Sequence, residues 1–234
     1  MTTRLGGRAS VPGARHELKH RLDAAEAEAL ARRLRRVLPL DAHGGEHGYR
    51  VTSLYFDTPY DETLLEKVNG LSRREKFRLR YYGTDVSRVR LERKSKAAGL
   101  GFKSRSELTR EQAERLVAGD ADVLLAVGGE AAAELYLRMR TRLLRPRTVV
   151  SYDRLAFSYA PGNVRVTIDT RLRAGMSVGD FLRPDALMMP VDPGLAILEV
   201  KWDRFLPDVV AAAVQLSGRR HVSHSKYAAC RRHE

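Results

Sequence analysis

Lys76, Arg78 and Arg80 alternate with Phe77, Leu79 and Tyr81, and the pattern returns in Arg90, Glu92, Lys94 and Lys96 set against Val89 and Leu91. Successive side chains of a strand point to opposite faces. Residues 76–82 and 89–96, joined through Gly83, Thr84 and Asp85, therefore predict a hairpin with one apolar and one strongly cationic face. Like charges opposed across neighbouring strands repel, and an anionic ligand between them relieves that cost. The same combination recurs elsewhere, with Lys19 in residues 15–22, Arg154 in 148–157, Arg165 in 164–172 and Lys201 in 196–202. Arginine offers planar, bidentate recognition of phosphate oxygens and lysine a compact charge. Several of each along one surface suit a repeating anion such as a linear polyphosphate.

The elements that must position these residues are legible from periodicity and punctuation. In residues 15–22, Arg15, Glu17, Lys19 and Arg21 share a strand face. Asp23 with Glu26 has the form of a capping box, and Leu22, Ala27, Leu30, Leu34 and Leu38 fit the stripe of a helix over 24–38 that stops at Pro39. Residues 49–56 read as an aromatic and β-branched strand in which Val51 and Leu54 cannot share a face, implying a bulge or full burial. Residues 60–70 suggest a short helix or long turn. Residues 97–108, with Gly99 and Gly101, read as a mobile basic loop that adds Lys103 and Arg105 beside the cationic face. Thr109 and Gln112 cap a helix ending at Gly119, and another spans 130–144. Strands over 148–157 and 164–172 are joined by Pro161, Gly162 and Asn163; a third over 196–202 precedes a helix over 207–218. Residues 1–13 form an arm, leaving 14–234 as a single domain.

If the strands form one sheet with helices on its apolar side, the other face is solvated, yet it carries far more cations than an ordinary solvated face. A sheet curled so that this face lines a water-filled tunnel satisfies both conditions. The expected fold is α+β: a sheet curled into a barrel-like tunnel with helices packed on the outside.

Composition is consistent with this. In 234 residues, 43% hydrophobic, 42 Lys and Arg stand against 29 Asp and Glu, a net charge of +13 that calls for a polyanionic partner. The basic residues lie on strands without the aromatic platform that single-strand nucleic-acid binders use, so nucleic acid is not the expected partner. A single cysteine, Cys230, excludes a disulfide framework and suits a reducing compartment. No window reaches the roughly 20 apolar residues of a membrane span, and a cytoplasmic location is expected.

Arg15-His16-Glu17-Leu18-Lys19, Ser53-Leu54-Tyr55-Phe56-Asp57-Thr58 and Lys76-Phe77-Arg78-Leu79-Arg80-Tyr81-Tyr82-Gly83 are followed in order by Leu91-Glu92-Arg93-Lys94-Ser95-Lys96, Ile168-Asp169-Thr170, Leu198-Glu199-Val200-Lys201 and Ser225-Lys226-Tyr227. Together these resemble the VTC domain, the polyphosphate polymerase domain of the vacuolar transporter chaperone family, within the triphosphate tunnel metalloenzyme (CYTH-like) fold. The resemblance implies an antiparallel, β-barrel-like triphosphate tunnel with helices packed on the outside, which transfers the terminal phosphoryl group of ATP onto a polyphosphate chain with Mn²⁺ or Mg²⁺. It assigns phosphate gripping to Lys19, Arg78, Arg80, Lys94, Arg154, Arg165 and Lys226, and metal binding to Glu199. Arg90, Lys96, Lys103, Lys201 and Tyr152 are further candidates for substrate binding. Glu17 and Glu92 are secondary metal ligands or lysine-positioning groups. One departure is Ser223, which stands where a second lysine is expected three residues before Lys226.

Plainer readings apply to other residues. Asp169 reads as structural, Tyr55 as either a phosphate donor or a core tyrosine, and Arg32, Arg33, Arg35 and Arg36 as a solvated helix face. His43, His47, His221 and His224 lack paired ligand spacing, so they do not suggest zinc. Beside the polymerase, the sequence admits a metal-dependent triphosphate or polyphosphate hydrolase on the same fold, or a non-catalytic polyphosphate-binding module; a membrane-protein partner stays open.

Overall fold

Alternation of apolar and charged side chains along most strands dictates a sheet with one dry face and one charged face. A computed structural model describes residues 15–42, 44–72, 74–97, 100–215 and 222–232. The strands are β1 (His16–Leu22), β2 (Tyr49–Asp57), β3 (Arg74–Tyr82), β4 (Asp85–Ala97), β5 (Leu100–Thr109), β6 (Arg145–Tyr159), β7 (Val164–Gly175), β8 (Met188–Pro190) and β9 (Ala196–Trp202). The helices are α1 (Ala24–Arg35), α2 (Glu62–Val68), α3 (Arg110–Val117), α4 (Val123–Val127), α5 (Glu130–Arg142), α6 (Asp208–Val214) and α7 (Lys226–Arg231). All strand pairings are antiparallel, in the order β1-β9-β7-β6-β2-β3-β4-β5, with β8 attached to β7.

The outward face is the dry one. Phe77, Leu79 and Tyr81 of β3, Val89 and Leu91 of β4 and Leu108 of β5 pack with Leu116 of α3, Leu124 of α4 and Leu135 of α5. At the other end Val164, Val166 and Ile168 of β7 and Leu198 and Val200 of β9 meet Leu30 and Leu34 of α1 and Val210 of α6. Fully burying each such side chain stabilises the fold by about 1.5–3 kcal/mol. α1 starts at the expected capping box: Asp23 accepts from the Glu26 N–H and the Glu26 carboxylate accepts from the Asp23 N–H, both at 2.8 Å. The Thr109 and Gln112 box does the same for α3.

Flat, this sheet would hold β5 and β9 roughly 30 Å apart, six strand spacings. Instead Lys103 on β5 feels the charges of Lys201 on β9 and Glu17 on β1, and Lys94 on β4 feels Glu17, Lys19 and Lys201. The sheet is therefore curled until its ends face each other across a charged interior. Among the described residues no backbone pairing joins β1 to β5, so the barrel stays open along that seam.

Several expectations change. Residues 97–108 were expected as a mobile loop, but Leu100–Thr109 is a strand paired to β4 along its length. The glycines near its start obscured the alternation of Phe102, Ser104, Ser106 and Leu108 with Lys103, Arg105 and Glu107, and opposite charges meet in its register, Glu92 with Arg105 and Arg90 with Glu107. Not every helix lies outside. Tyr227 of α7 is buried among Val51 and Tyr55 of β2 and Val150 and Tyr152 of β6, side chains of the inner face. Both alternatives for β2 are realised, with residues from Val51 onward buried and a register shift between Tyr55 and Phe56. The arm over residues 1–13, His43, His221, the Lys96 side chain and the end of the helix expected over 207–218 lie outside the described residues.

Candidate functional site

Alternation puts charged residues of β1, β3, β4, β5, β6, β7 and β9 on the inner face, and the register decides which of them meet. Arg78 of β3 lies opposite Glu92 of β4. Its Nε and Nη2 both donate to Glu92 Oε2, at 2.7 and 2.6 Å, and its Nη1 donates to the Tyr55 hydroxyl at 3.0 Å. Arg80, only 6% exposed, donates from Nε to Ser53 Oγ at 3.0 Å and from Nη2 to the Tyr152 hydroxyl at 3.3 Å. Its Nη1 stands 3.9 Å from Glu92 Oε2. Burial, which disfavours the charged Arg78, is outweighed by Tyr55 and Glu92, so the guanidinium stays firmly protonated.

Further round the barrel, Asp169 of β7 is fully buried and takes two bonds from Arg154 of β6, at 2.6 and 2.8 Å, and one from Lys226 of α7 at 2.7 Å. Burial pushes its carboxyl up, but Arg154 and Lys226 outweigh it and hold the group down to about 2. Lys226 also lies over the Tyr152 ring, 4.6 Å from its centroid. Arg165 donates to the Tyr49 hydroxyl at 3.0 Å and pairs with Asp41 at 2.9 Å.

At the β1–β9 end, Lys19 Nζ sits 2.5 Å from Glu17 and 3.4 Å from Glu199, while Lys201 Nζ sits 2.8 Å from Glu199 and 3.7 Å from Glu17. Two carboxylates thus alternate with two ammonium groups. Burial of Glu199 is outweighed by Lys201 and Lys19, which hold its carboxyl far below the usual range. Burial of Lys19 is likewise outweighed by Glu199 and Glu17, which raise its pKa. Hard divalent cations such as Mg²⁺ take oxygen ligands from one or two carboxylates and complete their shell with phosphate oxygens and water. Glu17 and Glu199, which reach the same ammonium groups, fit that donor set, and their charge is held by Lys19 and Lys201. Glu92 is committed to Arg78 and Arg80. Among the described residues no group of three potential metal ligands gathers.

Lys94 and Lys103 differ from the rest. They face each other across β4 and β5, and among the described residues neither has a carboxylate in ion-pair reach. Both are open to solvent, yet enclosure by the concave face comes first in pulling each ammonium below its usual pKa. Repulsion adds to it: Lys103, Lys19 and Lys201 act on Lys94, and Lys201 and Arg78 on Lys103. These are unneutralised cations inside a wet channel.

Arg90 lies nearer the rim, over the Tyr82 ring at 5.4 Å and 3.9 Å from Glu107. Sequence reasoning missed Ser53, Tyr49 and Asp41 as partners of the arginines, and read Asp169 as structural, although it orients two candidate gripping cations. The signal for Tyr49 and Ser53 was present, because both share the inner face of β2 with Tyr55.

Arg78→Ala or Arg80→Ala is expected to weaken triphosphate binding by about 1.5–3 kcal/mol, the range of a charge-assisted hydrogen bond. Calorimetric titration without metal measures this, and unchanged affinity in both variants counts against the channel as the binding site. Because Asp169 is depressed from 3.8 to about 2, it contributes stability that is present above its unfolded value and lost as pH falls through the folded one. The contribution at neutral pH is about 2 kcal/mol. Unfolding of wild type and Asp169→Asn should therefore differ most above pH ~4 and converge towards pH ~2; a gap independent of pH would assign the stability to shape alone.

The chain matches the model of the VTC domain over residues 14–233. A comparison with curated proteins gives no match. Among solved structures, similar ones include the PH1819 protein from Pyrococcus horikoshii OT3, with a TM-score of 0.47 and 11% identity over 94% of this chain and 99% of that one. A candidate adenylate cyclase from Bacillus halodurans gives a TM-score of 0.45 and 12% identity over 79% of each chain. The Schizosaccharomyces pombe Mediator head module gives 0.45 and 14% identity over 85% of this chain and 88% of that one. With a family match that runs through every strand of the curled sheet and takes in α7, the chain belongs to the VTC domain family.

Proposed function

We propose that this chain is a polyphosphate polymerase-like phosphotransferase that moves the γ-phosphoryl group of ATP onto a polyphosphate chain lying in the channel. The observation that carries the reading is the charge of the inner face. Four of its carboxylates, Glu17, Glu92, Asp169 and Glu199, are each already shared between two cations, and among the described residues Lys94 and Lys103 have no carboxylate in ion-pair reach. A surface so arranged suits a ligand with a negative charge on every repeating unit.

In the reaction, an oxygen of the chain's terminal phosphate forms a bond to the γ-phosphorus of ATP, the bond from that phosphorus to the β–γ bridging oxygen breaks, and ADP leaves. Phosphoryl transfer needs chiefly positioning and neutralisation of charge. Arg78 and Arg80 are pre-oriented by Glu92, Ser53, Tyr55 and Tyr152, so they grip oxygens without first losing rotamer freedom. Arg154 and Lys226, held by Asp169, do the same beside them, over the Tyr152 ring whose hydroxyl Arg80 reaches. Lys94 and Lys103 supply uncommitted charge. A Mg²⁺ or Mn²⁺ ion bound through Glu17 and Glu199 would neutralise charge on the transferring group. α7 covers part of the inner face, and keeping water from the reacting phosphorus favours transfer over hydrolysis.

Purified protein with ATP and Mn²⁺ is expected to form ADP together with an acid-insoluble phosphate polymer that accounts for most of the phosphoryl groups released. Orthophosphate equal to ADP, with no polymer at any primer concentration, makes the protein a hydrolase; neither product, with polyphosphate still bound, makes it a binding module. Glu199→Gln keeps the shape and removes the charge. It should lower the rate by about 100-fold or more while leaving triphosphate affinity equal or tighter, and full activity in that variant would move the metal elsewhere.

A further inference from the structure

We propose that the Tyr55 hydroxyl is a further substrate-binding group of the channel, donating its proton to a phosphoryl oxygen that Arg78 also holds. This rests on the polyphosphate reading above.

Tyr55 belongs to the inner face of β2 and is 9% exposed. Its ring is fixed by stacking on Tyr227, with centroids 5.0 Å apart and planes 28° from parallel. Its oxygen accepts the Arg78 Nη1–H at 3.0 Å. A phenol has a single proton, and accepting that bond leaves the proton to be given elsewhere. Among the described residues no acceptor takes it. The carboxylates around it are committed: Asp57 accepts from the Tyr227 hydroxyl and from the N–H groups of Thr58, Thr63 and Leu64, and Glu92 holds Arg78 and Arg80. A buried donor without an acceptor carries a cost that a ligand acceptor removes.

The surroundings say what that acceptor is. β3 presents Lys76, Arg78 and Arg80 to the hydroxyl. β4 presents Glu92, which stands behind Arg78, and α7 presents Tyr227, whose ring lies under Lys76 at 5.3 Å. The oxygen that meets this proton is therefore anionic, and one bound to Arg78 is placed to receive it. Arg78 and Tyr55 then act as a pair, one charged donor and one neutral donor oriented by the first. This keeps a donor at the site without adding to the repulsion among its cations.

Burial pushes the Tyr55 phenol up, but Arg78, Arg80 and Lys76 outweigh it and bring it down to about 8. Burial raises Tyr49, Tyr81 and Tyr227 instead. A phosphate that accepts the Tyr55 proton favours the neutral phenol. Binding must then raise this pKa, and ionising the phenol must weaken binding by the same linkage.

The test is a tyrosinate absorbance titration of wild type and Tyr55→Phe, with and without triphosphate and without metal, alongside calorimetric affinities. Phenylalanine keeps the ring that stacks on Tyr227, and thermal unfolding checks that the variant is folded. Wild type should show a transition near about 8 that is missing in Tyr55→Phe and moves up by about a unit or more when triphosphate saturates. At about pH 7 the variant should bind triphosphate roughly three- to tenfold more weakly, and the gap should close as pH rises past the transition. Lys94 and Lys103 titrate in both proteins, so they cancel in the comparison. A transition that triphosphate does not move, or equal affinity at about pH 7, overturns the proposal and leaves Tyr55 as a support for Arg78. Failure of wild type to bind triphosphate at all overturns the polyphosphate reading itself.

Discussion

On the inner face of the sheet Glu17, Glu92, Asp169 and Glu199 are each shared between two cations. Glu92 serves Arg78 and Arg80, Asp169 serves Arg154 and Lys226, and Glu17 and Glu199 both serve Lys19 and Lys201. Sharing is what lets so many like charges stand on one concave surface. Removing one partner of such a buried pair typically costs about 3–5 kcal/mol, because an uncompensated charge is left behind. The arrangement also fixes direction: guanidinium groups tied on one side by a carboxylate or a hydroxyl present their remaining N–H bonds to the channel.

Curvature is the second condition. The helices press on the outward apolar face in separate clusters, α3, α4 and α5 on β3–β5 and α1 and α6 on β7 and β9, so neither end of the sheet is left bare. With the apolar face outward under helices, the charged face is inward, and the ends approach closely enough for Lys103 to feel Lys201. An open seam between β1 and β5 is tolerable because β1 is partly covered: the Val222 N–H donates to the Lys19 carbonyl at 2.9 Å. The segment that leads into α7 thus runs beside the strand that carries Glu17 and Lys19.

How much of this was legible follows from the period of each element. The hairpin of β3 and β4 and the strands β7 and β9 announce themselves, since charged and apolar side chains alternate at period two and their turns carry Gly83 or Pro161 and Gly162. Capping boxes at Asp23 and Thr109 place two helix starts to the residue. β5 was hidden because glycines stand near its start and two of its outward positions, Ser104 and Ser106, are serine, leaving little hydrophobic contrast to read. α7 and β8 are too short for periodicity, and α7 is held by core packing and by contacts of Lys226 with Asp169, Tyr227 with Asp57 and Arg231 with Asp61 that depend on three-dimensional proximity between residues distant in sequence. The candidate gripping residues could be named one by one, but which carboxylate each would meet is a matter of register between strands distant in sequence. Arg154 and Asp169 are partners because β6 and β7 pair as Arg154 with Asp169, and nothing within either strand states it.

α7 shows what that long-range placement achieves. Lys226 reaches Asp169 from α7, so one of the candidate gripping cations is not part of the sheet that carries the others. Its position depends on Tyr227, whose hydroxyl is held by Asp57 at the end of β2 while its ring lies between Tyr55 and Lys76. Asp57 is also the group that accepts the N–H bonds at the start of α2. A single buried carboxylate therefore sets α2, α7 and, through the Tyr227 ring, the orientation of Tyr55. A shift of α7 would move Lys226 and the ring on which Tyr55 stacks together. The fold thus joins α7 to the geometry of the candidate site by direct packing of side chains.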